Sequence, residues 1–121
     1  MPPRVLSLSA QRAHLAEPWS PRILAELNGQ HVKLARTEGA FVWHQHEEQD
    51  EFFLVLSGKL EIHLRDRVVR LSEGEFFVVP KGVEHKPVSE AGADLLLFEP
   101  ANIAHTGGIV CDRTVANPAR L

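Results

Sequence analysis

The sequence predicts an all-β domain of short strands packed as a sandwich or a barrel. From residue 39 onward, short apolar segments are separated by closely spaced turn signals such as Ser57-Gly58 and Glu73-Gly74. No long segment has the period of an amphipathic helix. The 121 residues are 44% apolar and 24% charged, as is usual for one globular domain. We therefore expect residues 1–121 to form a single domain.

The chain begins with an arm and continues into a segment that has two interpretations. Residues 1–18 show no clear period, which predicts an arm that is ordered only where it docks. Residues 20–29 could form a helix. Ser20 would then cap this helix, Pro21 would occupy its first position and Gly29 would lie just past its end.

A β-hairpin is the second interpretation of the same segment, and it is the one we favour. Asn28-Gly29 is a strong signal for a two-residue turn between strands, here at residues 23–27 and 31–36. Val32 and Leu34 alternate with smaller or charged neighbours, as in a strand with one buried face. This alternation favours a strand after the turn.

Seven further strands are predicted from apolar runs bounded by turns. They span residues 40–46, 51–56, 59–65, 68–71, 75–79, 83–88 and 94–98, with a weaker candidate at 113–115. Pro80-Lys81-Gly82 predicts a type I turn in which proline is the second residue and glycine the last. The predicted barrel therefore covers about residues 23–99, and residues 100–121 form a tail.

Two of these strands are apolar on both faces. In the strand at 51–56, one face carries Glu51, Phe53 and Val55, and the other carries Phe52, Leu54 and Leu56. The strand at 75–79 has the same property. An uncovered apolar face is rare on a soluble protein, so something must cover it. We expect a homodimer in which the N-terminal hairpin contributes to the interface. The rival is a monomer in which the arm and the tail cover this face.

Two histidines and a glutamate lie close together in the middle of the chain. His44 and His46 are two residues apart, so on a strand their imidazoles point to the same face. Glu51 begins the next apolar strand and can bring a carboxylate to the same place, although Glu48 and Asp50 are alternatives. Two imidazoles and a carboxylate suit a divalent transition metal, namely iron, manganese, nickel, copper or zinc.

A third histidine, His85, follows the turn at residues 80–82. This turn reverses the chain and would deliver His85 from a neighbouring strand. We therefore predict that one divalent metal ion per chain is bound by His44, His46, Glu51 and His85. In a six-coordinate ion, this set leaves two positions for water, dioxygen or substrate.

These residues occur in an order that resembles the two motifs of the cupin superfamily. The first motif matches Gly39, His44, His46, Glu51 and Gly58, and the second matches Gly74, Pro80, Gly82 and His85. Ser89 stands where the second motif has asparagine. The chain is most similar to small single-domain bacterial cupins described as mannose-6-phosphate isomerase-like. The resemblance implies a double-stranded β-helix, or jelly roll, with the metal inside the barrel.

The resemblance and the predicted site support three hypotheses of function. The favoured one is a mononuclear metal-dependent enzyme of dioxygenase type, because that chemistry needs little beyond a metal and an apolar pocket for a small molecule. An isomerase of a small sugar or keto compound is the first alternative, but it would need inward basic residues that the sequence does not reveal. The second alternative is a non-catalytic cupin that binds a small ligand, because no general base is evident outside the ligand set.

Composition argues against several other classes of protein. The net charge of -3 includes no basic excess that would suggest binding to nucleic acid or to an anionic membrane. The single cysteine, Cys111, excludes an internal disulfide and a zinc site built from cysteines. No apolar run is long enough to span a bilayer, so we expect a cytoplasmic location.

Several other residues carry weaker expectations. His14, His31 and His63 are expected at the surface, and the role of His105 is left open. Lys33 is one of several basic residues that could bind an anion but that are more often exposed. Five large side chains could wall a substrate pocket or simply form barrel core: Trp43, Phe53, Val55, Phe77 and Leu97.

Overall fold

The computed structural model describes residues 3–101 and the backbone of residues 119–120, and most of its regular structure is β-strand. Its elements are α1 Leu8–Arg12, β1 Arg22–Leu27, β2 Gln30–Ala40, β3 Glu51–Gly58, β4 Leu60–Leu64, β5 Val68–Leu71, β6 Phe76–Val79, β7 His85–Pro100 and β8 Ala119–Arg120. No helix in this part of the chain is long and apolar enough to cross a membrane. The predicted strand at 113–115, together with His105 and Cys111, lies outside the described residues.

Strand β7 organises the barrel because it pairs with three other strands. On one edge, β2 runs antiparallel to it, and the pairing extends from Val88 to Pro100 of β7. On the other edge, β4 pairs with residues 85–88 and β3 pairs with residues 93–98. The sheet continues from β4 to β5 and from β3 to β6. From β7 the sheet therefore divides into one path through β4 and β5 and another through β3 and β6. This division gives the two layers of a double-stranded β-helix, which confirms the predicted fold class.

The hairpin interpretation of residues 20–29 is confirmed, and the helix interpretation is wrong. β1 pairs antiparallel with β2, and Leu27 lies opposite Gln30 across the turn. Asn28 and Gly29 have φ angles of 51° and 77°. Positive φ at both central residues is typical of a type I′ turn, whose twist matches that of paired strands.

The predicted strand at residues 40–46 is mostly wrong. β2 ends where that strand should begin, and beyond it an isolated bridge between His44 and His85 continues the pairing. Phe41 donates its N–H to the carbonyl of Pro87 at 2.9 Å, but Pro87 has no N–H to donate in return. The ladder of hydrogen bonds is therefore interrupted just before the two histidines of the site.

Most of the other predicted strands lie close to their expected positions, with two differences. The strands predicted at residues 83–88 and 94–98 belong to one continuous strand, β7. The turn after β6 also begins later than predicted, because Val83 donates its N–H to the carbonyl of Pro80 at 3.2 Å. Gly82 is the third residue of this turn and has a φ of 77°, which is typical of type II rather than type I.

One apolar cluster fills the barrel interior. Its buried members are Ala35, Phe53, Val55, Leu60, Ile62, Leu71, Val79, Ala93, Leu95 and Leu97, and they come from every strand between β2 and β7. Gly58 marks a place where two of these strands approach very closely. A side chain at Gly58 would collide with the carbonyl of Gly92, and its φ of 82° also favours glycine. The glycine at the end of β3 is therefore needed for packing against β7.

The N-terminal arm docks on the outside of the barrel and contains α1, which the sequence did not predict. Ser7 caps this helix by accepting a hydrogen bond from the N–H of Ala10 at 3.3 Å. A second apolar cluster joins the arm to the barrel through Leu6, Leu8, Leu15, Leu24, Leu34, Leu56 and Leu96. Arg12 adds an ion pair, because its Nε donates to Oδ2 of Asp94 at 2.9 Å. The arm therefore covers part of the apolar outer face.

Another part of the outer face is left open in the described chain. Phe76 is 61% exposed and Val78 is 41% exposed. Phe52 stacks on Phe76 and on Phe98, with ring centroids 5.1 and 5.0 Å apart. We call these four residues the aromatic patch. The sequence expectation that β3 and β6 present apolar side chains outward is confirmed.

Candidate metal centre

The four residues predicted to bind metal lie together inside the barrel. His44, His46, Glu51 and His85 are 4%, 6%, 4% and 0% exposed. One ligand atom from each residue lies within 4.8 Å of all the others. An ion at about 2.0–2.2 Å from each atom, the usual range for zinc, needs ligand atoms at most about 4.4 Å apart. The cluster could therefore hold a metal ion after a small movement of its side chains.

The two alternative carboxylates are not part of this cluster. Glu48 and Asp50 are both exposed, and Asp50 accepts a hydrogen bond from the N–H of Lys81 at 2.9 Å. Glu51 differs from them because it begins β3 and is buried, on the same face of the strand as the buried Phe53. Strand position therefore decides which carboxylate reaches the barrel interior.

Backbone carbonyls orient two of the three imidazoles. Nδ1 of His44 lies 2.9 Å from the carbonyl oxygen of Val42, and Nδ1 of His85 lies 3.0 Å from that of Val83. A carbonyl can only accept, so Nδ1 carries the proton and donates in both cases. Nε2 is left with its lone pair, which is the form that a metal ligand requires.

His46 gives independent evidence that the cluster fits a metal. Its Nε2 is buried and lies 3.3 Å from Oε1 of Glu51, but it makes no hydrogen bond to any described residue. A buried nitrogen without a hydrogen bond is costly, and its neighbour Glu51 is itself a possible ligand, so a metal ion would satisfy both groups. Nε2 of His85 lies 3.3 Å from the same carboxylate oxygen. The donor set of three imidazoles and one carboxylate suits the transition metals named above.

Burial and neighbouring charges shift the pKa values of His44, His46 and Glu51 in different directions. Burial, followed by the charge of His85, lowers the pKa of His44 to about 4. Burial also acts to lower the pKa of His46, but contact with Glu51 outweighs it and raises that pKa above its ordinary value. Burial alone would raise the pKa of Glu51, but its contacts with His46 and His85 lower it instead. At neutral pH, Glu51 is therefore a carboxylate and His44 a neutral imidazole, as metal binding requires.

We expect metal affinity to fall as the pH is lowered from neutral, beginning at the pKa of His46. Each imidazole must lose its proton before it binds metal, and the raised pKa keeps His46 protonated to a higher pH than an ordinary histidine. Below this pKa, affinity should fall about tenfold per pH unit. Competition between the protein and a chelating dye for Zn²⁺ measures this. A constant affinity from neutral pH to mild acid would contradict ligation by histidine.

Beside the cluster lies a buried ion pair that the sequence did not predict. Nζ of Lys33 and Oε1 of Glu99 are 2.6 Å apart, and both side chains are 1% exposed. The expectation that Lys33 is exposed is wrong, because it lies on the buried face of β2. Burial, together with the charge of Glu51, raises the pKa of Glu99, whereas the contact with Lys33 acts to lower it and so favours the charged carboxylate. The sequence revealed no inward basic residue and no general base outside the ligand set, whereas the structure places Lys33 and Glu99 inside the barrel.

Other sequence expectations have different outcomes. His14 is exposed as predicted, and His63 is half-buried. His31 is 4% exposed, so the prediction of a surface position is wrong. Ser89, which stands in place of the motif asparagine, is buried and donates its hydroxyl to the carbonyl of Lys59 at 2.7 Å. Ser89 therefore joins two parts of the barrel and has no position among the ligands.

A small cavity adjoins the ligand cluster. It has a volume of about 40 Å³, enough for a few water molecules. It is lined by Trp19, Pro21, Ala35, Thr37, Phe41, His44, Glu51, Phe53, Pro87, Leu95 and Leu97, and none of these is lysine or arginine. Of the predicted wall residues, Phe53 and Leu97 therefore line the cavity. Trp43 does not line it, and the guanidinium of Arg65 lies 3.7 Å from its ring centroid.

Trp19 forms one wall of this cavity in an unusual backbone conformation. Its φ of 61° lies in the left-handed region, which costs a bulky residue about 1–2 kcal/mol. Its N–H donates to the carbonyl of Arg36 at 2.8 Å, and its indole N–H donates to that of Glu38 at 2.9 Å. The indole also stacks on Phe41, with ring centroids 4.7 Å apart. These contacts offset the backbone strain.

A small antiparallel barrel with three histidines and a glutamate clustered inside it defines the cupin class of proteins. The family model described as the cupin domain, Cupin_2, matches residues 30–99. The chain belongs to this family, so the resemblance inferred from its two motifs is confirmed.

Individual relatives and solved structures agree with this assignment. YdbB of Bacillus subtilis (strain 168) is 36% identical over 64 residues, and the match spans 52% of this chain and 57% of YdbB. A cupin-2 domain containing protein from Shewanella frigidimarina is 42% identical, with a TM-score of 0.78 over 79% of this chain and 94% of that one. Hydroquinone 1,2-dioxygenase from Sphingomonas sp. TTNP3 with 4-hydroxybenzoate bound has a TM-score of 0.63 at 19% identity, covering 74% of this chain and 70% of that one. That last similarity shows a shared fold alone.

Proposed function

We propose that this protein is a mononuclear metal-dependent enzyme that acts on a small uncharged molecule, and that its chemistry is of the dioxygenase type. The observation that carries the proposal is that the ligand cluster directly borders an apolar cavity. The metal would be held by His44, His46, Glu51 and His85. When bound, such an ion supplies activation of dioxygen or polarisation of a substrate oxygen.

The residues around the cluster have the properties that this function needs. Burial of all four ligands keeps bulk water away and strengthens the electrostatic interactions within the site. Phe53, Leu95 and Leu97 present apolar surface, so they would orient a ligand by shape rather than by charge. Thr37 donates its hydroxyl to the carbonyl of Ala93 at 3.1 Å, which leaves its oxygen free to accept from a ligand hydroxyl.

The same observations also bear on the alternative functions. An isomerase of a phosphorylated sugar is disfavoured because no lining residue is lysine or arginine, and the inward Lys33 is held by Glu99 at 2.6 Å. An isomerase of a neutral sugar or keto compound would not need those charges. A non-catalytic cupin that binds a small ligand would use the same cavity without turnover. Dioxygenase chemistry is ranked first because it needs little beyond the metal and an apolar pocket.

Metal analysis followed by oxygen-uptake measurements tests this function. The full chain is purified without chelator or nickel affinity, its metal is measured by mass spectrometry, and its iron(II) form is assayed with small phenols and diols. We expect one ion per chain and oxygen uptake with at least one probe, and we expect His85→Ala to lose both. Metal and probe binding without oxygen uptake or isomerisation would identify a binding protein instead. Failure to bind any metal would contradict both functions, the metal-dependent enzyme and the metal-dependent binding protein.

We also propose that a second copy of the chain covers the aromatic patch. Homodimers usually form about a two-fold axis, which lets an apolar patch pack against its own copy. Light scattering at micromolar concentration should give the dimer mass, and Phe76→Glu should give a monomer. Val5→Glu is the control, because Val5 is 96% exposed but lies outside the patch. A wild-type monomer mass that persists at about tenfold higher concentration would reject the dimer.

A further inference from the structure

Trp19 is the wall of the cavity that is best placed to move. Other lining residues, such as Phe53 and Leu95, lie on strands that are hydrogen-bonded into the sheet. Trp19 belongs to the irregular segment between α1 and β1 and is only half-buried. Apart from Asn28 in its hairpin turn, Trp19 is the only described non-glycine residue with a positive φ. A strained bulky residue beside a ligand cavity indicates a functional constraint.

The cavity volume of about 40 Å³ is smaller than the roughly 150 Å³ of a cavity that binds benzene, so an organic ring would enter only if a wall moved. Movement of the indole away from Phe41 would break its hydrogen bond to the carbonyl of Glu38, which is exposed and can bond to water instead. It would open a flat slot with the Phe41 ring on one side. Phe41 in turn meets the imidazole of His44 edge to face, with ring centroids 5.5 Å apart. A ring held between Trp19 and Phe41 would therefore lie beside the ligand cluster.

We propose that Trp19 is a specificity-determining residue that gates this cavity and selects flat, uncharged rings, which stack between its indole and Phe41. The inference rests on the proposed function only in placing the ligand beside the metal cluster. A flat ring replaces the stacking contact that Trp19 and Phe41 lose when the slot opens, whereas a puckered ring does so poorly. An anionic ligand would find no lysine or arginine among the lining residues.

Phenol and cyclohexanol are matched probes for this selection, because they share ring size and a hydroxyl group and differ in flatness. Binding is measured on the full-length protein loaded with Zn²⁺, which has no redox chemistry, so no turnover interferes. Calorimetry should show phenol binding about tenfold more tightly than cyclohexanol. The chain has two tryptophans, so in Trp43→Phe the remaining one is Trp19. Its fluorescence should be quenched by phenol over the same concentration range.

Substitutions of Trp19 separate gating from a merely structural role. Trp19→Gly removes the ring and tolerates a positive φ, so it should fold but show a phenol preference below about twofold. Trp19→Phe keeps a flat ring and should keep the preference, as should the control Trp43→Phe. Equal affinities in the wild-type protein, no binding of either probe, or a preference that survives Trp19→Gly would overturn the inference. A Trp19-dependent preference without oxygen uptake by the iron form would support this inference and reject the dioxygenase function.

Discussion

Replacing Lys33 with methionine should destabilise the fold by about 3–5 kcal/mol at neutral pH. The change leaves the carboxyl of Glu99, which is 1% exposed, without its counter-charge. Lys33 acts to lower the pKa of Glu99, so its removal raises that pKa further, and the folded variant binds more protons than the folded wild-type protein. The stability of the variant therefore rises more steeply as the pH falls. The deficit of the variant should therefore shrink as the pH approaches the ordinary pKa of glutamate. Urea unfolding at neutral and mildly acidic pH measures both effects.

The double variant Lys33→Met, Glu99→Met provides the stringent comparison. Replacing both partners of a buried ion pair with apolar residues is often neutral, so this variant should recover to within about 1 kcal/mol of the wild-type stability. Arg70→Met breaks an exposed contact with Glu61 and should leave the unfolding midpoint unchanged. A Lys33→Met variant as stable as the wild-type protein would show that Lys33 does not stabilise the buried carboxylate of Glu99.

The fold was predictable wherever local signals were sufficient. Asn28-Gly29 determines its own turn, and apolar runs between turn residues locate β3, β4 and β5. The prediction of a strand at residues 40–46 is wrong because the interrupting group, Pro87, belongs to a distant segment. The sharing of β7 among three strands also depends on pairing between distant segments. Local propensity and spacing do not contain that information.

The same distinction applies to the site. The spacing of His44 and His46, with Glu51 at the start of a strand, was enough to predict three residues that the structure brings together. Lys33 and Glu99 were missed because each resembles an ordinary exposed charge in the sequence. They meet because of the register of β2 against β7. Lys33 lies opposite Leu97, and His31, two residues earlier on the same face of β2, lies opposite Glu99. A lysine within an otherwise apolar alternating strand was the one signal that could have suggested its burial.

Replacing His46 with alanine should abolish tight metal binding. Loss of a residue that only supports a metal ligand typically lowers affinity about 10–100-fold, so loss of a ligand should lower it by more than about 100-fold. Mass spectrometry should find little metal in the purified variant. Added Zn²⁺ at about a thousandfold over its Kd should stabilise the wild-type protein by about 4 kcal/mol, because it binds only the folded chain. The same Zn²⁺ concentration should leave the Tm of the variant almost unchanged.

His63→Ala is the matched control, because His63 is half-buried and lies outside the cluster. This variant should keep both the metal content and the Zn²⁺-dependent rise in Tm. In the doubly substituted His44→Ala, His85→Ala protein, only His46 and Glu51 remain of the four ligands, and two donors hold a divalent ion weakly. Full metal occupancy in that protein would show that the ion binds elsewhere, and the assignment of the site would then be wrong.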